Sequence, residues 1–316
     1  MMETIFFKHL SVLADETLAL LDIQPGATVL DGTLGAGGHS YLILQASSPD
    51  GILIGLDRDR DALGKAAQVL APFGDRAILR YANFSQAAEV LDDLGIDGLD
   101  GMLLDLGVSS YQLDQVERGF SFRADAPLDM RMDQQSDLTA ADIVNSGSVE
   151  ELTLIFKKYG EERWAKKIAR KIERVREQQP IETTLQLANL VRETVPGGMI
   201  PARIHPATRV FQALRIRVND ELEHVAKGVE QGIDLLKPGG ILAVISFHSL
   251  EDRIVKNIFK HRANPCTCPP RLPMCACGKV ADVEVLTRRG LRATQDEVNE
   301  NPRSRSAILR AIRRLP

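Results

Sequence analysis

The chain has 316 residues, of which 44% are hydrophobic and 26% charged, and its formal net charge is −4. This composition excludes a disordered or fibrous chain, and the length allows one large domain or two modest ones. No run of about 18 apolar residues occurs, so the sequence predicts no membrane span.

The first 110 residues alternate strand-like and helix-like segments. Short apolar strands are predicted at 27–31, 52–57, 77–81 and 101–105, and helices at 59–70 and 85–94. The strands lack polar alternation, which is typical of a parallel sheet buried on both faces. The sequence therefore predicts an α/β fold with a doubly wound sheet.

The alternation stops after residue 110 and returns near residue 213. Between them the pattern is helical or irregular, with helices predicted at 150–158, 161–177 and 184–194. A long helix at about 207–236 then precedes a strand at 241–247, a helix at 250–262 and strand candidates at 283–288 and 306–312. We therefore predict a discontinuous α/β domain, 1–111 with 213–316, and an inserted all-helical domain at 112–212.

A glycine-rich turn follows the first predicted strand, from Gly32 to Ser40. Such a turn lets a ligand lie against backbone that no side chain blocks. The dinucleotide pattern G-x-G-x-x-G fails, because its third glycine position is Ser40. Asp31 before the turn suits a ligand ammonium group, and Asp57 at the end of the second strand suits two ribose hydroxyls. This order of elements predicts a nucleoside cofactor.

Asp105 ends the fourth predicted strand, at the sheet edge where α/β proteins place their chemistry. A carboxylate there can hydrogen-bond a cofactor or an amino group awaiting a methyl group. The exocyclic amine of a base is a poor nucleophile, because its lone pair is delocalised into the ring. Acceptors that bind its N–H groups and exclude water favour attack. The alternative is an aspartate that caps a turn.

Seven stretches of the sequence resemble the RsmH (MraW) family over nearly the whole chain. Members of that family are S-adenosyl-L-methionine-dependent methyltransferases that act on N4 of a cytidine in small-subunit ribosomal RNA. The matching stretches are Asp31–Ser40, Leu103–Ser110, Glu117–Phe122, Pro127–Asp133, Tyr159–Arg163, His205–Arg209 and Ile245–Arg253.

The resemblance implies a class I (Rossmann-like) methyltransferase fold with an inserted helical domain that recognises RNA. The implied target is a specific cytidine in the decoding (P-site) region of 16S rRNA, within the small ribosomal subunit, and neither DNA nor a membrane is expected as a partner. The implied site residues are Gly37, Gly38 and His39 at the methionine end of the cofactor, Asp57 at its ribose, Phe84 near its adenine, and Asp105 and Gln112 beside the methyl group.

One departure affects Asp105. Many amino-directed nucleic-acid methyltransferases carry Asn/Asp-Pro-Pro-aromatic after the fourth strand, whereas this chain reads Asp105-Leu-Gly-Val. The catalytic role of Asp105 is therefore a hypothesis.

Charge is unevenly distributed along the chain. Residues 1–110 carry 6 Lys/Arg against 16 Asp/Glu, and residues 213–316 carry 18 against 12. This asymmetry fits a protein that binds a polyanion on one surface, although scatter over a folded surface is the alternative. Candidate phosphate contacts are Lys157, Lys158, Arg163, Lys166, Lys167, Arg170, Lys171, Arg174 and Arg176, and near the C-terminus Arg303, Arg305, Arg310, Arg313 and Arg314.

The target cytidine must be unstacked before N4 reaches a buried methyl donor. With one Trp and four Tyr, the chain offers few stacking platforms, so we expect recognition of RNA shape and backbone.

The four cysteines form two Cys-x-Cys pairs, Cys266/Cys268 and Cys275/Cys277. Four thiols in one loop suit Zn²⁺, but a one-residue spacing is less common than two to four. Methyl transfer from a sulfonium needs no metal, so no catalytic metal is predicted and a structural one is left open. Confinement of the cysteines to one loop argues against a disulfide scaffold and, with no secretory signal visible, predicts a cytoplasmic protein.

Other interpretations stay open at this point. His205 and His248 lie in family-like sequence, yet lone histidines are more often structural. A methyltransferase of proteins or small molecules is disfavoured by the basic segments, and a nucleotide-dependent oxidoreductase by Ser40. A non-catalytic RNA-binding protein would be separated by a cofactor-binding assay.

Overall fold

The structure, a computed structural model, describes residues 11–196, 205–269 and 276–316, without the side chains of residues 110 and 111. The chain divides into two compact units, Met1–Gly107 with Leu222–Pro316, and Val108–Glu221. The strands are β1 (Thr28–Asp31), β2 (Ile52–Asp57), β3 (Ala77–Tyr81), β4 (Leu99–Asp105), β5 (Leu236–Ser246), β6 (Val283–Val285) and β7 (Ile308–Arg314).

The helices of the first unit are α1 (Ala14–Leu21), α2 (Gly38–Ala46), α3 (Arg60–Leu70), α4 (Ala87–Leu94), α11 (Glu221–Leu235), α12 (Ser249–Ala263) and α13 (Gln295–Glu300). The first residue of α11, Glu221, is counted with the second unit. Those of the second unit are α5 (Ser110–Asp114), α6 (Ala140–Ser146), α7 (Val149–Gly160), α8 (Ala165–Arg176), α9 (Thr184–Thr194) and α10 (Thr208–Val218).

The first unit is built on one seven-stranded sheet in the order β3-β2-β1-β4-β5-β7-β6. Strands β1 to β5 all run parallel to one another, whereas β7 runs antiparallel to both β5 and β6. The strand order reverses between β1 and β4, the place where doubly wound sheets bind ligands at the carboxyl ends of the strands. The predicted α/β class is confirmed.

Apolar strand residues cover both faces of this sheet. Leu30 and Met102 pack with helices α4, α11 and α12 on one face, whereas Val29 and Leu103 pack with α1, α2 and α3 on the other. Burial on both faces explains why the strands lack polar alternation, and the loss of contact with water stabilises the unit through the hydrophobic effect.

The second unit contains helices and irregular segments, and no strand longer than an isolated bridge occurs among its described residues. Serine and threonine caps start several of its helices; Ser148 begins α7 and Thr183 begins α9, each accepting a backbone N–H. Helices α6 to α10 pack around Phe156, Ile168 and Leu214 as one apolar core.

The predicted long helix at 207–236 is in fact two helices. Between α10 and α11 the backbone of Asp220 has φ 46°, in the left-handed region, which ends the first helix. Asn219 holds this break by accepting a bond from Met132 N and donating to Met130 O, at 2.7 and 2.8 Å. The boundary predicted at residue 212 lies inside α10, because that helix packs in the core of the second unit, which extends to Glu221.

In the described part of the chain, no helix combines the length and apolar character that crossing a membrane requires.

Candidate functional site

Three acidic residues end neighbouring strands of the first unit. Asp31 ends β1, Asp57 ends β2 and Asp105 ends β4, and the register of the parallel strands pairs Asp31 with Gly55 and with Leu103. The carboxyl ends of parallel strands lie at one edge of the sheet, so the structure gathers these predicted residues there.

The turn between β1 and α2 needs glycine for two separate reasons. Gly37 caps α2 with φ 85°, a conformation that side chains disfavour. A Cβ on Gly38 would collide with the hydroxyl of Ser11. The turn therefore presents bare backbone at the beginning of α2, where N–H groups favour negatively charged ligand atoms.

Asp31 holds this turn from within. Its side chain is 1% exposed and accepts bonds from Ser40 Oγ at 2.6 Å and from Thr33 N at 3.1 Å. Burial raises the pKa of Asp31 to about 6, against the opposing effect of these bonds. The structure thus gives this carboxyl an internal role, which differs from the contact with a ligand ammonium group that the sequence predicts.

Asp57 is half-buried and accepts bonds from Gly35 N at 2.8 Å and Asp59 N at 2.9 Å. Burial raises its pKa to about 6, while these backbone bonds act in the opposite direction. Each oxygen keeps a second lone pair, so the carboxyl is fixed in place and can still accept hydroxyl groups.

Among the three strand-end acids, the carboxyl of Asp105 has the most strongly shifted pKa. Burial raises its pKa to about 8, and the charges of Asp31 and Glu251 add to the rise. The side chain is 26% exposed, and its Oδ1 makes no hydrogen bond within the described residues. Its backbone N–H donates to Thr33 Oγ1 at 2.6 Å, which ties the end of β4 to the glycine turn. A buried acceptor without a partner indicates a place for a polar ligand.

His39 lies beside Asp105, with Nε2 3.7 Å from Asp105 Oδ2. Burial lowers the pKa of His39 to about 4, although its bond to the backbone of Val12 acts to raise it. The ring is therefore neutral near pH 7. Nε2 makes no hydrogen bond to any described part of the chain, so two unsatisfied polar atoms lie on adjacent side chains.

Glu251, which the sequence interpretation missed, is the second acid, after Asp31, whose charge acts on Asp105. It is 1% exposed at the start of α12 and accepts from Phe247 N at 2.9 Å and His248 N at 3.2 Å. His248 caps the helix by accepting from Glu251 N. The capping-box spacing of these two residues is a sequence signal that could have identified Glu251.

Phe84 follows β3 in a turn capped by Asn83, whose Oδ1 accepts from Ser85 N at 3.0 Å. Its ring fills the space beside Gly228 of α11, where a Cβ would collide with it, and lies 6.5 Å from the ring of His224. Phe84 therefore packs on α11. A position near adenine stays a prediction.

Gln112 belongs to the second unit. It is buried, and its Oε1 accepts from Ser109 N at 3.1 Å while its own N–H donates to Ser109 Oγ at 3.2 Å. Its expected cofactor role stays a prediction.

The basic face predicted on α8 is present. Ile168 and Ile172 are buried, as their spacing predicts, and the cations lie on the other side of the helix. These cations line a surface groove of about 480 Å³: Lys166, Lys167, Arg170, Lys171 and Arg174, with Glu193 and Thr194 of α9. Within the described ranges, none of the five cations forms an ion pair.

The C-terminal arginines differ from the prediction of a second basic cluster. In β7, Arg310 donates to Asp252 at 2.6 Å and Arg314 to Asp282 at 2.9 Å, and Arg313 lies 3.6 Å from Glu284. Three of the five predicted phosphate contacts are thus neutralised by carboxylates. The reason is that β7 lies inside the sheet, where its cations meet Asp252 of α12, Glu284 of β6 and Asp282, the residue before β6.

The two singled-out histidines have structural contacts. His205 stacks on Phe122 with ring centroids 4.8 Å apart, and His248 is the cap of α12. Of the four cysteines, Cys275 lies outside the described residues.

Comparison with known proteins identifies the family of the chain. The model of the MraW methylase family matches residues 6–315. "Ribosomal RNA small subunit methyltransferase H" from Syntrophotalea carbinolica is 59% identical over 98% of this chain and 98% of the relative, and that from Geotalea daltonii is 55% identical over 98% and 99%. Among solved structures, an O-methyltransferase from Thermotoga maritima has a TM-score of 0.41 and 10% identity over 98% of this chain and 69% of its own. The chain belongs to the MraW methylase family.

Proposed function

We propose that this protein transfers a methyl group from S-adenosyl-L-methionine to the N4 amino group of a cytidine in the decoding (P-site) region of small-subunit rRNA. Its curated relatives are named as small-subunit ribosomal RNA methyltransferases. The observation that carries the proposal is the carboxyl of Asp105, buried at the end of β4 with an oxygen that lacks a hydrogen-bond partner in the described chain.

The residues at the sheet edge fit this cofactor. The unsatisfied atoms Asp105 Oδ1 and His39 Nε2 call for a polar ligand, and the Gly37 turn offers backbone that no side chain covers. In this assignment Gly37, Gly38 and His39 hold the methionine part, and Asp57 accepts the ribose hydroxyls. Bound there, S-adenosyl-L-methionine supplies a methyl group on a positively charged sulfur.

Asp105 then acts on the acceptor. The positive charge of a bound sulfonium would lower the raised pKa of Asp105 and favour the ionised carboxyl. The ionised Oδ1 accepts an N–H bond from the cytosine amino group and aligns the nitrogen lone pair for attack. One nitrogen–carbon bond forms as one sulfur–carbon bond breaks, and Asp105 takes the proton that the nitrogen loses.

The amino group is a better candidate acceptor than a ring carbon. Methylation of a pyrimidine ring carbon begins with addition of a thiolate to the ring. All four cysteines of this chain lie in the segment 266–277, and none follows β1, β2, β3 or β4 at the carboxyl edge.

The basic groove on α8 of the second unit favours RNA as the substrate. Its five cations are spaced along about two helical turns, a length suited to several successive phosphates. No aromatic side chain lines this groove among the described residues, so recognition of the backbone fits better than base stacking.

The proposal is tested by incubating the protein with methyl-labelled S-adenosyl-L-methionine and small subunits that lack the modification. Naked rRNA, DNA and protein serve as controls, and digested nucleosides are identified by mass spectrometry. We expect label in N4-methylcytidine from the subunits. Measurable cofactor binding with label in another product, or in none, would contradict the proposed substrate.

A further inference from the structure

The segment 264–282 joins α12 to β6, and the part of it that the structure describes has no apolar support of its own. Its described residues, 264–269 and 276–282, contain no helix or strand, and none of them is buried. Val280 is 83% exposed. The described residues bury so little surface that they gain almost nothing from the hydrophobic effect, and ordering them requires another interaction.

The base of this loop is fixed by charge. Arg262 at the end of α12 donates to Asp282 Oδ2 at 2.9 Å, and Arg314 donates to the same carboxyl at 2.9 Å. The hydrogen bonds and charges of these arginines hold the pKa of Asp282 below its usual range, against the effect of burial. The two ends of the loop are therefore held together, and the described outer part, 265–269 with 276–280, lies beyond this base.

Three thiols converge in that outer part. The Sγ atoms of Cys266, Cys268 and Cys277 all lie within 4.8 Å of one another, and the Cys266–Cys277 distance is 3.8 Å. Ala276 N also donates a hydrogen bond to Cys268 Sγ at 3.3 Å. Thiols normally occur in the protein interior, whereas Cys266 is exposed and the other two are half-buried, so packing does not account for the cluster.

The separation of the Cys266 and Cys277 sulfurs matches one edge of a tetrahedral metal site. Zn–S distances of about 2.3 Å give sulfur–sulfur edges of about 3.8 Å, the separation found between Cys266 and Cys277. A disulfide instead requires about 2.05 Å. Soft thiolate ligands in this arrangement select zinc over the hard cations magnesium and calcium.

We propose that Cys266, Cys268 and Cys277 bind one Zn²⁺ ion that orders the loop between α12 and β6. Each thiol releases one proton as its sulfur–metal bond forms, and a further ligand completes the tetrahedron. The ion is structural, so the inference is independent of the proposed methyl transfer.

The test is metal analysis of the full chain purified under reducing conditions without added metal. We expect about one zinc ion per chain, and at least about a tenfold lower content in Cys266→Ser and in Cys277→Ser. Thr267→Ser, which changes the residue between two ligands and no thiol, keeps the zinc content. Circular dichroism verifies that each variant is folded.

A second measurement uses the unaltered protein. Removing zinc with a chelator should speed proteolysis within 264–282, and adding Zn²⁺ back should restore protection. Cobalt in place of zinc should give the absorption of tetrahedral thiolate coordination. Zinc content below about a tenth per chain, bound iron, disulfides under these reducing conditions, or equal zinc in Cys266→Ser would each overturn the proposal.

Discussion

Replacing Asp105 by Asn tests whether burial of this ionisable carboxyl lowers the free energy of unfolding. The folded-state pKa of Asp105 is raised from 3.8 to about 8, so between these pH values the folded state binds more protons than the unfolded state. Stability of the wild type is therefore lost progressively as pH rises through this window. Asp105→Asn removes the ionisable group and with it this loss.

The magnitude follows from the same shift. At about 1.4 kcal/mol per pH unit, a full shift from 3.8 to about 8 is worth up to about 6 kcal/mol. The side chain is 26% exposed, so solvent screening reduces this to about 3 kcal/mol, of which about 2 kcal/mol develops between pH 5 and 8. For a unit of about 200 residues, that is roughly 4–8 °C in melting temperature.

The assay compares thermal melting of wild type and Asp105→Asn, without ligand, from pH 5 to 8. The variant should melt higher, and its advantage should widen by roughly 4–8 °C over this range. Asp93→Asn, at an exposed carboxyl of α4, is the matched control and should show no such widening. Parallel melting curves for wild type and Asp105→Asn would refute the burial argument.

Three further predictions concern the turn, the basic groove and the C-terminal strand. Gly37→Ala places a side chain at φ 85° and should lower the free energy of unfolding by about 1–2 kcal/mol and weaken cofactor binding. Gly64→Ala, in open space on α3, is the control and should raise the free energy of unfolding by about 0.5–1 kcal/mol. Equal effects of the two variants in calorimetry would contradict this prediction. The double variant Lys166→Ala/Lys167→Ala should reduce the slope of log binding constant for the subunit against log salt concentration by about 1.5. An unchanged slope would show that these two lysines do not contact RNA phosphates. Arg310→Gln leaves the carboxylate of Asp252 on α12 without its partner and should destabilise the protein by about 2–3 kcal/mol in denaturant titrations. Unchanged stability with an altered salt dependence of subunit binding would show that Arg310 contacts RNA instead.

The sheet and its acidic strand ends were accessible from the sequence, because they depend on local patterns. Strands β2 and β3 occupy the predicted ranges, and Asp31, Asp57 and Asp105 each follow a short apolar run. Parallel pairing then places strand ends at one edge, so the gathering of these acids required no knowledge of side-chain contacts.

Features that depend on long-range contacts were not accessible. Arg310 looked like a phosphate contact, and its pairing with Asp252, 58 residues earlier, follows only from the antiparallel placement of β7. The break at Asp220 lies within a helical pattern and is stabilised by Asn219 contacts to Met130 and Met132, almost 90 residues away. A periodicity argument contains no information about such partners.

The central claim is that Asp105 assists methyl transfer to a cytosine amino group of small-subunit rRNA. Its most direct test is a single-turnover reaction of wild type and Asp105→Asn on unmodified small subunits, with N4-methylcytidine quantified by mass spectrometry and cofactor affinity measured in parallel. The account predicts N4-methylcytidine with wild type and at least about a hundredfold slower transfer with Asp105→Asn, at a cofactor affinity changed far less. Equal transfer rates and equal affinities for the two proteins would contradict it.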